Sequence, residues 1–142
     1  MNHFASSENI GAVVSIRGGI VDIRFDDFLP SIYSILHTGK DFNVTIEVLT
    51  QLDSRHVRGI ALTGTEGVCR GMRVNDSGNP LRAPVGKAIL SRMFDVFGNP
   101  IDRLGPLQDV EWRSVHQPPP PFARRSTHSE IFETGIKIID LL

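Results

Sequence analysis

The first 83 residues consist largely of short stretches in which apolar and polar residues alternate, each ended by glycine, proline or a polar turn. The clearest stretch is residues 42–49, where every second position is apolar: Phe42, Val44, Ile46 and Val48. Residues 20–25 repeat the pattern with Val21, Ile23 and Phe25. Because successive side chains of a β-strand point to opposite faces, this period of two predicts strands with one buried face.

The predicted strands are residues 11–16, 20–25, 31–36, 42–49, 57–63, 71–74 and 81–83. In the first strand, the apolar residues at positions 10, 12, 14 and 16 are expected to share the buried face. Two glycine-containing stretches, residues 64–67 and 75–80, are interpreted as turns. About six short strands without a helix predict a mainly β fold, a small closed barrel over residues 9–83, because closure leaves few unpaired edges.

The sequence changes character near Pro84, and residues 84–142 are predicted to begin a second unit. The expected elements are a helical turn at 85–90, a strand at 91–97, a strand at 112–116 and an extended proline run at 118–121. At the end, Thr134 is expected to cap a helix that carries apolar residues at 136, 139 and 142. No stop signal follows, so we expect the sequence to end inside a domain. Residues 1–8 are expected to be a flexible terminus.

Composition limits the possible classes of protein. Hydrophobic residues make up 40% and charged residues 22%, which is typical of a globular protein. The net charge of −1 gives no basis for nucleic-acid binding. The only cysteine is Cys69, which favours a reducing compartment. We find neither a signal peptide nor an apolar run of about 20 residues, and so expect no direct membrane insertion.

One lysine invites comparison with a phosphate-binding loop. A P-loop requires Gly, four residues, Gly-Lys and then Ser or Thr, so that main-chain amides surround the phosphates. Lys87 follows Gly86, but Leu81 stands at the first glycine position and Ala88 at the hydroxyl position. The sequence therefore does not assign phosphate binding to Lys87. Residues 64–67 are glycine-rich as well, but they do not open a helix.

Other reactive side chains are scattered and are interpreted as structural. The histidines, expected at the surface or in loops without metal-ligand spacing, are His3, His37, His56, His116 and His128. Asp26 and Asp27 are expected to be solvated turn residues, and Cys69 to pack as a small residue. Arg124 and Arg125 form too short a pair for a nucleic-acid patch, and residues 118–121 are interpreted as an interdomain strut rather than a ligand for a proline-binding groove. No catalytic, cofactor-binding or metal-binding residue is assigned.

Three ordered segments carry a family resemblance. The first runs from Glu47 to Met72 and contains Val-Arg-Gly-Ile-Ala-Leu-Thr-Gly-Thr-Glu-Gly at 57–67; the second, at 84–102, ends in Gly-Asn-Pro-Ile-Asp; the third is Thr-Gly-Ile-Lys-Ile-Ile-Asp-Leu-Leu at 134–142. Together they resemble the beginning of a beta subunit of an F-type ATP synthase. Residues 111–117, Glu-Trp-Arg-Ser-Val-His-Gln, are similar to the alternative N-type branch, which is linked to sodium transport.

The resemblance implies a six-stranded N-terminal barrel followed by the start of an α/β P-loop nucleotide-binding domain. In the full-length family, ATP or ADP and Mg²⁺ would be bound, and ATP would be made or hydrolysed with proton or sodium transport. The barrel would join alpha-type subunits in a hexameric ring on the cytoplasmic face of the inner membrane. The family's P-loop and catalytic residues would lie beyond Leu142, so no cofactor and no activity are expected of residues 1–142 alone. A self-standing, non-catalytic barrel module and a related hexameric motor ATPase remain alternatives.

Overall fold

A computed structural model describes residues 9–129 and 131–141 of the chain. The predicted flexible terminus, residues 1–8, lies outside the described residues. Six antiparallel strands close into a barrel with the order β1-β2-β5-β4-β3-β6. Their bounds are β1 Ile10–Arg17, β2 Ile20–Phe25, β3 Ser34–Thr38, β4 Val44–Gln51, β5 His56–Ala61 and β6 Arg73–Pro80. The predicted mainly β fold and closed six-stranded barrel are confirmed.

The barrel interior is filled by aliphatic side chains and one phenylalanine. Its buried cluster comprises Val13, Val21, Ile23, Phe25, Leu36, Val44, Ile46, Val48, Val57 and Val74. The alternation predicted for β2 is confirmed, since Val21, Ile23 and Phe25 are all buried. β-Branched residues dominate this core because they suit a pleated surface that is covered on one side.

The prediction of which side chains of β1 are buried is wrong for the first half of the strand. Gly11 and Val13 point inward, whereas Ile10 is 36% exposed. The β1–β2 register shifts between Val13 and Ser15, which marks a bulge at Val14. A bulge inserts one residue and exchanges the two faces. After it, Ile16 packs against the core as predicted.

Phe42 does not belong to the buried face of β4. The strand begins at Val44, and Phe42 lies in the preceding turn with a φ of 53° and a side chain that is 46% exposed. The apolar alternation begins two residues before the strand does, so the pattern alone places the start of β4 too early. β3 likewise begins later than predicted, at Ser34.

Residues 75–80 were interpreted as a turn, but they continue strand β6 to Pro80. The β3–β6 register shifts between Ser34 and Leu36, which pair with Pro80 and Asp76. The extra residues on β6 bulge outward, where Gly78 has a φ of 67° and donates its amide to an Asp76 carboxylate oxygen at 2.9 Å. The turn-forming residues thus shape a bulge inside the ladder rather than a chain reversal.

A two-stranded sheet follows the barrel, formed by β7 (Arg82–Val85) and β8 (Glu111–Ser114). β7 runs across the predicted domain boundary between residues 83 and 84. That boundary stays a prediction. The structure places a short 3₁₀ helix at Lys87–Ile89, within the expected helical turn. Residues 91–97 do not form the predicted strand; they contain one bridge, from Phe94 to Pro100.

The last described helix, α1, spans Lys137–Asp140. Its N-cap is Ile136 rather than the predicted Thr134. Thr134 instead bonds Asp140, the last residue of α1. Its amide and its hydroxyl both donate to an Asp140 carboxylate oxygen, at 2.9 and 2.6 Å. A second 3₁₀ helix lies at Phe122–Arg124, directly after the proline run.

Candidate functional site

An apolar pair lies on the outer wall of the barrel. Ile20 of β2 and Ile60 of β5 are directly opposite in register, and their side chains are 46% and 39% exposed. Both point away from the core because they alternate with the buried Val21 and Gly59. We call Ile20 and Ile60 the outer pair. It is the one place in the described β2–β5 ladder where two exposed apolar side chains face each other across strands.

An ion pair lies one step further along the same wall. Arg58 donates two hydrogen bonds to Asp22, from Nε at 2.7 Å and from an Nη at 3.0 Å. The two residues are opposite in the β2–β5 register. The hydrogen bond from Arg58 holds the pKa of the Asp22 carboxyl below its usual range, with the guanidinium charge acting in the same direction. The bidentate geometry gives the outer wall a fixed charged site beside its apolar pair.

The Gly-Asn-Pro-Ile-Asp segment, part of the family resemblance, folds as a bonded loop. Asp95 accepts main-chain hydrogen bonds from Phe97 at 2.9 Å and from Asn99 at 2.8 Å, and a further bond from the Asn99 side chain. The Asn99 bonds lower the pKa of Asp95. Gly98 is buried, and a Cβ there would lie 2.7 Å from the Trp112 ring. This glycine therefore lets the loop pack on the indole of β8.

Asp102 organises the other side of that loop. Its carboxylate accepts hydrogen bonds from Nε and one Nη of the Arg92 guanidinium, and from the main-chain amides of Met93 and Leu104. The Arg92 bond is the main reason that the pKa of Asp102 is well below its usual range. Arg92 also donates to the Gly105 carbonyl. Each carboxylate oxygen of Asp102, the last residue of the Gly-Asn-Pro-Ile-Asp segment, therefore accepts hydrogen bonds within the loop.

Lys87 lies at the start of the first 3₁₀ helix and is exposed. A Cβ placed on the preceding Gly86 would meet no heavy atom within 4 Å, so no other described residue packs against that position. The turn interpretation of residues 64–67 fits the structure, in which no strand includes them and Thr65 donates its hydroxyl to the Gly18 carbonyl at 3.2 Å.

The structure corrects one interpretation of the reactive side chains. Cys69 was expected to pack as a small residue, but it is exposed. It lies in the loop between β5 and β6, in which Val68 and Met72 pack against the barrel core. Asp26 and Asp27 are exposed turn residues as expected, and Arg124 and Arg125 are exposed as well.

Four of the histidines lie within the described residues, and His3 does not. His37 and His56 are half-buried residues of β3 and β5, while His128 is exposed after the proline run. The structure also shows one relationship that the sequence did not indicate: His116 meets Tyr33 and Glu47 on the barrel wall. These residues are 83 and 69 positions away from His116 along the chain. No local spacing could have signalled that cluster.

The described residues contain neither a metal-binding cluster nor a helix that could span a membrane. Among residues 9–129 and 131–141, no group of three or more His, Cys, Asp or Glu side chains is arranged to hold a metal ion. None of the helices described has the length and apolar character needed to cross a bilayer.

Comparison with known proteins identifies the barrel. Residues 13–78 match the family described as ATP synthase alpha/beta family, beta-barrel domain. ATP synthase subunit beta 1 of Chlorobaculum tepidum is 67% identical over 135 residues, which cover 95% of this chain and 28% of the relative. ATP synthase subunit beta 2 of Chlorobium luteolum is 70% identical over 135 residues, or 95% of the chain and 29% of the relative. The chain belongs to the ATP synthase beta-subunit family.

The resemblance to an F-type beta subunit is thereby confirmed. Another ATP synthase relative, subunit beta 2 of Albidiferax ferrireducens, is 64% identical over the whole chain and 27% of its own length. The chain spans less than a third of each of these beta subunits. The family match at residues 13–78 falls within the closed barrel, so the ATP synthase domain and the observed fold coincide.

Proposed function

We propose that this chain is the N-terminal part of a beta-type ATP synthase subunit, and that its barrel assembles with alpha-type subunits into a ring. The observation that supports this most is the closed barrel in the region matched to the family's barrel domain. A barrel has no free strand edge through which to add a neighbour. Its contacts must therefore come from side chains on the outer wall and from its loops.

The outer pair is the proposed contact point on that wall. Ile20 and Ile60 are partly exposed and adjacent, and the bidentate Asp22–Arg58 pair lies beside them. An apolar centre bordered by charged groups is the usual composition of a protein interface. Burying the exposed part of two isoleucines favours association, since apolar area removed from water contributes about 25 cal/mol per Å².

The whole subunit is proposed to bind ATP or ADP with Mg²⁺ and to make or hydrolyse ATP. Residues 84–142 would then begin its α/β nucleotide-binding domain. Phosphoryl transfer depends on a phosphate-binding loop, Mg²⁺ and charge stabilisation. The P-loop pattern fails around Lys87, so these parts would be supplied by residues outside 1–142 and by alpha. Proton or sodium transport would be coupled to the reaction, with the subunit peripheral on the cytoplasmic face of the inner membrane.

The relatives' names favour an ATP synthase over the related hexameric motors, because each is described as an ATP synthase beta subunit. The experiment is co-expression of the full-length subunit with the alpha-type subunit of the same organism. Wild-type protein is expected to yield a mixed hexamer with Mg-dependent ATPase activity. The double variant I20D/I60D should fold but lose most of the mixed hexamer in size-exclusion chromatography.

A matched control places the same charge on an exposed apolar residue outside the barrel. Val96 is 71% exposed in the loop after β7, so V96D tests whether any added aspartate disrupts assembly. V96D is expected to assemble like the wild type. The proposed contact point would be refuted by normal assembly of I20D/I60D, and the proposed function by a wild-type protein that forms no complex with alpha.

A further inference from the structure

Tyr33 adopts a backbone conformation that aromatic residues rarely take. Its φ is 71°, in the left-handed region. The conformation is held by its amide, which donates to the Val48 carbonyl of β4 at 2.8 Å. Strained residues of this kind persist where the surroundings fix them, and they often mark a functional constraint. The side chain is 43% exposed, so burial of the ring in the core does not explain the strain.

The ring of Tyr33 instead stacks on the imidazole of His116. The two rings are stacked with centroids 3.7 Å apart and planes inclined by 14°. The imidazole Nε2 lies 2.7 Å from Glu47 Oε1. Glu47 and Val48 are consecutive in β4, so a single strand holds the Tyr33 backbone and the His116 side chain at once. The Glu47 side chain is only 13% exposed, which strengthens its bond to the imidazole.

His116 is in turn fixed to the sheet that follows the barrel. Its amide donates to the Ser114 hydroxyl at 3.2 Å, and that hydroxyl donates to the His116 carbonyl. The neighbouring Val115 amide donates to the Leu81 carbonyl at 3.0 Å, at the point where the chain leaves β6. The imidazole therefore stands at the end of β8 and reaches back to the barrel wall.

We propose that Tyr33 and Glu47 form a seat for His116, and that this seat fixes β7 and β8 relative to the barrel and sets the direction in which the chain continues after β8. Pro118 follows two residues later and begins a run of four prolines, which lack amide donors and favour a stiff extended form. At about 3.1 Å per residue, four prolines carry the direction set at His116 roughly 12 Å further. The seat is a conformational device of this chain itself and does not depend on nucleotide or on alpha-type subunits.

The seat dictates the tautomer of His116. An ionised carboxylate only accepts hydrogen bonds, so the nitrogen facing Glu47 must carry the proton. Neutral His116 is therefore the Nε2–H tautomer. Glu47 and the Tyr33 phenol are the titratable groups that contact the imidazole among the described residues. Replacing Glu47 by alanine should remove the preference of His116 for the Nε2–H tautomer without disturbing the barrel core.

The test is NMR of the 142-residue chain in a weakly aligning medium. In the wild type, one alignment tensor should fit the residual dipolar couplings of the barrel amides together with those of β7 and β8. H116A should lose this common alignment while the barrel amides still fit a tensor of their own. Y33A and E47A should each have the same effect, because each removes one half of the seat.

The control is H128A, which removes an exposed histidine on the far side of the proline run and should keep the common alignment. Nitrogen-15 shifts of the wild-type imidazole should report the Nε2–H form at pH 8. A common tensor that survives in H116A would overturn the proposal. So would an Nδ1–H tautomer, which would leave Glu47 without a donor.

Discussion

Gly59 of β5 lies against the main-chain carbonyl of Glu47 in β4, so closely that a Cβ on Gly59 would come within 2.7 Å of that oxygen. The same Cβ would lie 2.5 Å from the Ile46 Cγ2 atom. Contacts this short do not occur for real side chains, and one of the two obstacles is backbone. The approach of β4 to β5 therefore requires glycine at position 59, and it brings Glu47 to its place on the barrel wall.

Replacing Gly59 by alanine is expected to destabilise the barrel by about 1–3 kcal/mol, the usual cost of overpacking a close contact. Urea unfolding followed by circular dichroism measures the change. Gly19, in the β1–β2 turn, provides the matched control, because a Cβ there would meet nothing within 4 Å. G19A should change the free energy of unfolding by less than about 0.5 kcal/mol. Equal effects of the two substitutions would contradict the steric argument.

The sequence predicted the barrel because apolar and polar residues alternate in its regular strands. Val21, Ile23 and Phe25 are buried as their pattern indicates. The pattern failed where the strands are irregular. The bulge at Val14 exchanges the faces of β1, and no residue type there signals it. The polar, glycine-containing residues 75–80 continue a strand because β3 pairs with them from Asn75 to Pro80, while β1 pairs with β6 only up to Asn75.

The candidate site was predicted less well than the fold. The outer pair depends on register, since Ile20 and Ile60 are 40 positions apart and only strand pairing makes them neighbours. The contact of His116 with Glu47 is set by the return of the chain after β8, which no local pattern encodes. Cys69 was expected to pack, but it is exposed, and the residues of its loop that pack against the core are Val68 and Met72.

The core of β4 permits a second test of packing. Ile46 is fully buried, and I46A should cost about 2–5 kcal/mol because it removes buried methylene groups and leaves a cavity. The control is I60A, which truncates the same residue type on the outer wall, where 39% of the residue is exposed. I60A should cost clearly less in the same urea titration. Similar losses for both variants would mean that the outer pair is buried within the isolated chain.

Acid stability should depend on the Asp22–Arg58 pair. The pKa of Asp22 is lowered in the folded chain, so its ionised form contributes stability above the unfolded pKa of about 3.9. That contribution is lost as pH falls through the folded pKa. The difference in unfolding free energy between wild type and D22N should therefore be largest near neutral pH and shrink below about pH 4. A difference that stays constant from pH 7 to pH 2 would show that the carboxylate charge has no role.

The isolated 142-residue chain is expected to bind no nucleotide at millimolar affinity or better. Its one P-loop-like lysine, Lys87, is exposed, and the backbone at Gly86 is open. Isothermal titration calorimetry with Mg-ATP should give only heats of dilution, and K87A should give the same trace. Stoichiometric, Mg-dependent binding that K87A abolishes would show that residues 81–88 hold phosphate despite the missing glycine and hydroxyl.

Residues 84–141 should exchange their amide hydrogens faster than the barrel. Each barrel strand is bonded on both sides in a closed ladder, whereas β7 and β8 form a two-stranded sheet, which is marginal alone. Apolar side chains beyond it remain uncovered, including Phe122 at 87% and Ile131 at 95% exposure. Segments with few buried contacts open locally at low free energy, even where their average orientation is fixed. Hydrogen-exchange mass spectrometry should therefore show slow exchange in β2, β4 and β5 and rapid exchange after residue 84. Protection after residue 84 equal to that of the barrel would mean that these residues bury a core of their own.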